Sequence, residues 1–556
     1  MRSPRTLNGG QSSASGPSFW HSPLRQPPGS CSDIILPNEL QTRMSLNHFA
    51  MSNTVLLLRI RGVITLLGCS MFITSLLPSA GTAQHLLTLD DALDIAFDQS
   101  YTARSAREQL RASEASAESA RKALYSTVDL QFDLPDFSRT LLSEFNTDTR
   151  RLEYFPQELL QWSGRLDIRQ PLIWTNSTIT LSGLLYRQDQ TDRGLNSAFS
   201  RDYYTDIAIQ LRQPLFVPNT QRIALRRAEI DYEEAKADFV RNTLDLRYRV
   251  TEQFYNLYAD QQRVVIQEDR VQQEEVSYAT ATRKYKAGLI AEVEALQFEV
   301  DLAAARNDLL SARNTFTSRA NAFKILLGLP IKDSVHCLVS DTTVASVLID
   351  PSEATARAKQ TRVELQRARN NIERNELSLE QVDADRSIRG DLFLSYGVNK
   401  FDVEFQGLYN DLRDTRRAVL TISVPIFDWG KHAEDIQAAE ARLRNARLTA
   451  DNLELTIEQE IIDLVRSVES SARRAEVLLQ SRRIADIAND ISTKRYEVGT
   501  IGSTELAQAR SRLLQAKLTS LEAILDYYLA LADLARRTAY DYRLQSALSL
   551  PAPSDR

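Results

Sequence analysis

The sequence predicts a mainly α-helical chain with a membrane β part: internally duplicated long helical hairpins forming an α-barrel, rooted in barrel-type strands and closed only when several copies assemble. Three observations predict this class. First, Gln221–Tyr285 is a run of 65 residues without proline or glycine, a rod of roughly 95 Å at about 1.5 Å per residue. It carries a seven-residue ladder, Val250, Leu257, Val264, Val271, Tyr278 and Tyr285, and such a repeat keeps one apolar seam turned toward a partner helix. Second, the rod recurs. A shift of 211 residues carries Pro214-Leu215-Phe216 onto Pro425-Ile426-Phe427, Ala235 onto Ala446, Tyr285 onto Tyr496 and Gly288 onto Gly499. An internal repeat of that length outweighs any short motif. Third, stretches ahead of each rod alternate with period two, as in Val128, Leu130, Phe132 and Leu134 against Asp129, Gln131 and Asp133. That pattern suits a soluble sheet surface or a barrel wall between lipid and water.

Residues 1–83 read as an N-terminal extension and export signal. Arg59 and Arg61 precede an apolar core from Val63 to Leu77, and Gly81-Thr82-Ala83 supplies small residues for cleavage before Gln84. Fifteen apolar residues would span only about 22 Å of a roughly 30 Å hydrocarbon layer, which argues against a retained helix. The Pro-, Ser- and Gly-rich start lies awkwardly far ahead of a signal, so Met44 or Met51 is the expected initiator. Leu66-Leu67-Gly68-Cys69 has the look of a lipoprotein processing site, but the apolar core continues through Met71-Phe72-Ile73, which favours ordinary cleavage.

The mature chain divides into a first repeat, 84–350, and a second, 351–545, with 546–556 a disordered tail. A helix from Leu89 to Tyr125 starts after Thr88, with Asp90 and Asp91 suiting its N-terminal dipole. Strands are expected at Thr127–Leu134, Gly164–Leu172, Ser177–Tyr186 and Tyr203–Leu215. Arg169-Gln170-Pro171-Leu172 recurs as Arg212-Gln213-Pro214-Leu215, a duplicated strand end. After the first rod and the Gly288 turn, a return helix runs from Glu292 to Leu327 and Gly328-Leu329-Pro330 stops it, with an irregular stretch to Asp350. The second repeat has a helix from Pro351 to Ser387, strands at Asp391–Val398 and Ala418–Val424, a rod from His432 to Tyr496, a turn at Gly499–Gly502 and a helix from Ser503 to Arg543. Ala92 and Ala96 match Ala354 and Ala358 at a shift of 262 rather than 211, so the first half carries 51 extra residues, placed around 135–185.

In one chain the strands would leave open edges and the rods would expose their seams. Both problems vanish if several copies close a ring. With its junction residues Pro214, Phe216, Pro425, Phe427, Trp429 and Gly430, and its tips Tyr285-Lys-Ala-Gly288 and Tyr496-Glu-Val-Gly499, the chain resembles the TolC-like outer membrane factors over nearly all of 88–545. These are exit ducts of tripartite efflux pumps and type I secretion systems. The resemblance implies a homotrimer in outer membrane lipid, with a twelve-helix periplasmic tunnel continuous with a β-barrel of four strands per chain. The first-half surplus departs from that count, either as loops outside the membrane or as an extra hairpin. The resemblance also implies a periplasmic adaptor at the tips Tyr285, Gly288, Tyr496 and Gly499, an inner membrane pump as partner, and a periplasmic gate at Glu505 and Gln508. There the family places two acidic rings and this chain has one acid. A solvated helix-face glutamate is the alternative for Glu505, and turn packing for the tyrosines. Trp174 and Trp429 stand at strand ends, where aromatic belts or simple packing would use them.

Nothing in the sequence calls for covalent chemistry. The five histidines are scattered, no phosphate loop or nucleophile elbow stands out, and no cofactor is implied. The balance of 67 basic to 73 acidic residues, a formal −6, is too mild for a nucleic-acid partner. Once Cys31 and Cys69 leave with the precursor, Cys337 cannot form an intrachain disulfide. Two other readings stand beside the duct: a structural coiled-coil protein built on the rods, and a non-conducting binding platform anchored at the membrane.

Overall fold

The computed structural model describes residues 84–193, 198–339, 344 and 347–549. The export signal, Cys69 and the alternative start sites lie outside them. The described residues open with β1 (Gln84–Leu87), α1 (Leu89–Gln99) and α2 (Tyr101–Lys122). Four strands follow: β2 (Thr127–Asn146), β3 (Arg151–Leu172), β4 (Ser177–Asp192) and β5 (Ala198–Leu215). The first rod α3 (Thr220–Lys286), its return helix α4 (Glu292–Leu327) and the short β6 (Ser334–Cys337) complete the first half. The second contains α5 (Pro351–Thr361), α6 (Val363–Asp385), β7 (Arg389–Asp402), β8 (Arg413–Ser423), the rod α7 (Lys431–Glu497) and its return helix α8 (Ser503–Thr538). A last pair, β9 (Tyr540–Asp541) and β10 (Ser546–Ala547), carries a strand into the first residues of the stretch 546–556 that was expected to be a disordered tail.

The duplication is carried through to the residue. Both rods have 67 residues and both return helices 36, in step at the 211-residue shift. Buried Leu246, Val250, Phe254 and Leu257 of α3 correspond to Ile457, Ile461, Val465 and Val468 of α7. These two stripes, with α1, α4, α5 and α8, form the main core. The ladder read from sequence is therefore buried only in its upper part. Val264, Val271 and Tyr278 are half-buried and Tyr285 is exposed, because Glu274, Ser277 and Ala281 face inward there instead.

The expected single helices 89–125 and 351–387 are each broken. Ser100 is extended (ψ 143°) and its hydroxyl accepts from the Ala103 N–H, ending one helix and capping the next. Arg362, its counterpart at the shift of 262, is also extended (ψ 117°). The stretch expected to be irregular up to Asp350 contains β6, which pairs in parallel with β1. Gly328 ends α4 in a left-handed turn (φ 82°) and Ala539 ends α8 in the same turn (φ 52°). A methyl group there is unfavourable by about 1–2 kcal/mol, partly offset by the entropy that glycine loses on folding. Ala539→Gly is expected to raise the thermal midpoint of the detergent-solubilised protein, by about 0.5–1 kcal/mol at that site.

Six strands make one antiparallel sheet in the order β2-β3-β4-β5-β7-β8. At the 211-residue shift β7 and β8 answer to β4 and β5, so the surplus is the hairpin β2–β3 and lies between Leu124 and Ser177, earlier than the expected 135–185. The register aligns mainly apolar rows on one face, such as Leu130–Leu166–Gly183–Ile207–Val398, which β8 ends with Asp414. The opposite face has rows such as Gln131–Arg165–Leu184–Asp206–Asn399–Arg413. Among the described residues no helix is long and apolar enough to cross a membrane.

Candidate functional site

Two places carry the residues singled out from sequence: the hairpin tips and the junctions between sheet and rods. At the tips, identical turns close both hairpins. Gly288 (φ 72°) donates to Tyr285 O at 2.8 Å and Leu289 to Lys284 O at 2.9 Å; Gly499 (φ 78°) donates to Tyr496 O at 3.1 Å and Thr500 to Arg495 O at 2.9 Å. Both glycines are exposed and need left-handed backbone. The tyrosines diverge. Tyr496 is 6% exposed, 5.6 Å from the Phe298 ring, in a small tip core with Ala281 and Leu506. Tyr285 is 40% exposed. Packing under the turn thus describes Tyr496, while Tyr285 is available at the surface.

A latch that sequence reasoning missed joins the two hairpins here. Arg510 of α8 donates from Nη1 to Glu274 Oε2 at 2.8 Å and from Nη2 to Ser277 Oγ at 2.6 Å, both on α3. Glu274 is only 6% exposed. Burial pushes its carboxyl above the ordinary range, with Arg510 opposing and the Asp301 charge reinforcing the shift. Lys284 Nζ donates to Tyr496 O at 2.9 Å and lies 4.3 Å from the centre of its ring, placing a cation at the C-terminus of α7. Nothing in the sequence distinguishes Arg510 from the surrounding arginines; only the meeting of α3 and α8 does.

Glu505 and Gln508 are both exposed and line the groove between α7 and α8, opposite Ser481, Ala485 and Ala488. Arg512, a further turn along, lines the same groove. The structure thus places one acidic and one basic side chain on one stripe.

At the junctions, Pro214 closes β5 while Pro425 follows β8. Phe216 and Trp429 take left-handed backbone (φ 61° each), which is uncommon for bulky residues and marks a sharp corner. Phe427 stacks edge-on against Trp429 at 4.8 Å. Trp174 and Trp429 are 88% and 89% exposed, so neither is buried within the chain, and Trp429 touches Phe427 at its edge. Gly430 (φ 80°) begins α7, and Asp428 accepts from the Gly430 and His432 N–H groups at 3.0 and 2.9 Å. The His432 N–H foremost holds the Asp428 carboxyl below its usual range. Asn219 caps α3 in the equivalent place, accepting from Arg222 N–H at 2.9 Å.

Among the described residues no group of three or more His, Cys, Asp or Glu side chains could hold a metal ion. Burial pushes the Cys337 thiol up to about 12, so it stays protonated at neutral pH.

The family model for outer membrane efflux proteins matches residues 174–329 and 354–539, more than half of the chain. The chain belongs to the outer membrane efflux protein family. Its place is the outer membrane, with the helices extending into the periplasm. The match begins at Trp174, after the surplus hairpin. No curated protein matches the chain. Solved structures share the fold. The Campylobacter jejuni CmeC outer membrane channel superposes with a TM-score of 0.62 at 13% identity, over 83% of this chain and 87% of that one. The outer membrane protein VceC of Vibrio cholerae gives 0.59 at 15% identity, over 83% and 97%. The open-state MtrE outer membrane channel of Neisseria gonorrhoeae gives 0.58 at 16% identity, over 83% and 89%.

Proposed function

We propose that this efflux family member is the outer membrane exit duct of a tripartite pump or type I secretion system, in which three copies enclose a water-filled bore. The observation that carries this reading is the sheet with one apolar and one polar face, continuous with rods that reach about 100 Å to a latched tip. Such a body moves solute by enclosing water, so it needs no catalytic residue and no cofactor; it is not an enzyme. The energy comes from an inner membrane pump, coupled through a periplasmic adaptor. Exposed Tyr285, Leu289, Val293 and Val498 at the tips support docking there. Tyr496 contributes by holding the turn.

Glu505 supplies the acidic ring of the periplasmic gate, and Gln508 stands where a second acid is lacking. Three carboxylates in a narrow bore raise cation occupancy. The test is conductance in planar bilayers. The protein should conduct, weakly at rest, and under a potassium chloride gradient the reversal potential of Glu505→Lys should move toward that of chloride. Absence of conductance even when the Arg510 latch is removed would overturn the duct; an unmoved reversal potential would remove Glu505 from the gate.

A further inference from the structure

We propose that the surplus hairpin β2–β3 is barrel wall, so that each chain contributes six strands, and that its free edge β2 pairs with β8 of a second copy of this chain. This rests on the duct reading above and extends it to the partner and the width of the bore.

Four observations converge. The closing strand of the hairpin repeats that of its neighbour. At a shift of 43 residues Leu166, Ile168 and Arg169-Gln170-Pro171-Leu172 fall on Ile209, Leu211 and Arg212-Gln213-Pro214-Leu215. The repeated glutamine does the same work in both. Gln170 Nε2 donates to Leu124 O at 3.2 Å, just before β2, and Gln213 Nε2 donates to Thr175 O at 2.7 Å, just before β4. Each clamps the entrance of its own hairpin.

The faces also continue in phase. Val128 and Leu130 stand opposite Ile168 and Leu166, which stand opposite Leu181 and Gly183. Asp129 stands opposite Asp167, and Gln131 opposite Arg165, on the polar side. A hairpin lying outside the membrane would have no reason to keep one lipid-type face in register with the wall.

The helices set the same edges. α2 packs on α3, α3 on α6, and α6 on α7. α2 leads into β2 and β8 leads into α7, so the ends of the helical row and of the sheet coincide.

Finally, β2 pairs only with β3 and β8 only with β7 among the described residues. With six antiparallel strands the two edges run in opposite directions, so an antiparallel β2–β8 contact between copies closes the ladder. Three copies then give eighteen strands.

The test uses single cysteines in the full chain, assembled in outer membrane vesicles. A water-soluble thiol reagent should label Asp129→Cys and Gln131→Cys, with loss of labelling at Val128→Cys and Leu130→Cys. Leu130→Cys combined in turn with Ala418→Cys or Leu420→Cys should yield covalent multimers with a short bifunctional reagent. Uniform labelling of both faces in an intact trimer would overturn the six-strand wall and leave the duct standing. A monomer that labels uniformly and conducts nothing would overturn both.

Discussion

Arg510→Leu is expected to destabilise the tip by about 3 kcal/mol and to raise conductance at rest. Removing one partner of a buried ion pair leaves the other charge uncompensated. Glu274 would then be buried on α3 without the two guanidinium hydrogen bonds that Arg510 gives to it and to Ser277. The effect should depend on pH in a defined direction. The Glu274 carboxyl titrates above its ordinary 4.5 in the folded protein. A raised value means that its contribution to stability is fully present below the ordinary carboxylate range and is lost as pH rises through the raised value. Without Arg510 the carboxyl titrates higher still. The gap in thermal midpoint between wild type and Arg510→Leu should therefore be widest at neutral pH and narrow on acidification. Adding Glu274→Gln should restore much of the loss at neutral pH, since a neutral amide needs no counter-charge. A gap that stayed constant with pH would show that Arg510 acts by packing rather than by charge.

Gly328→Val is expected to lower the yield of folded protein sharply, with a loss of about 2–5 kcal/mol. Two effects add. The residue sits at φ 82°, where a β-branched side chain is strained by about 1–2 kcal/mol. Its Cβ would also lie 2.6 Å from the Gln99 carbonyl oxygen, which is backbone and cannot swing aside, and such overpacking adds about 1–3 kcal/mol. The equivalent position in the second half already holds Ala539, so the same fold accepts a methyl group there. Thermal midpoints of Gly328→Ala, Gly328→Val and wild type, measured side by side, would check this. A Gly328→Ala protein as stable as wild type would mean that the kink at Gln99–Ser100 yields.

The rods, their turns and their duplication were legible because each is written locally. Tyr285-Lys-Ala-Gly288 and Tyr496-Glu-Val-Gly499 end helices by the backbone freedom of glycine, and a seven-residue ladder needs no partner to be seen. The helix breaks at Ser100 and Arg362 were not legible. Neither carries proline or glycine, and the Ser100 hydroxyl that caps the second helix looks in sequence like any serine within a helical run. The latch was equally hidden, since Arg510 and Glu274 are 236 residues apart and look like any charged pair on a solvated rod.

The sequence by itself determined that the chain is a duplicated pair of long hairpins rooted in alternating strands, because period, repeat and glycine position are properties of the chain read along its length. Tertiary structure alone decided that the surplus segment is a hairpin within the sheet, that Tyr496 is buried while Tyr285 is not, and that Arg510 locks the tip. Those depend on which faces meet across space, and strand register and helix packing set that.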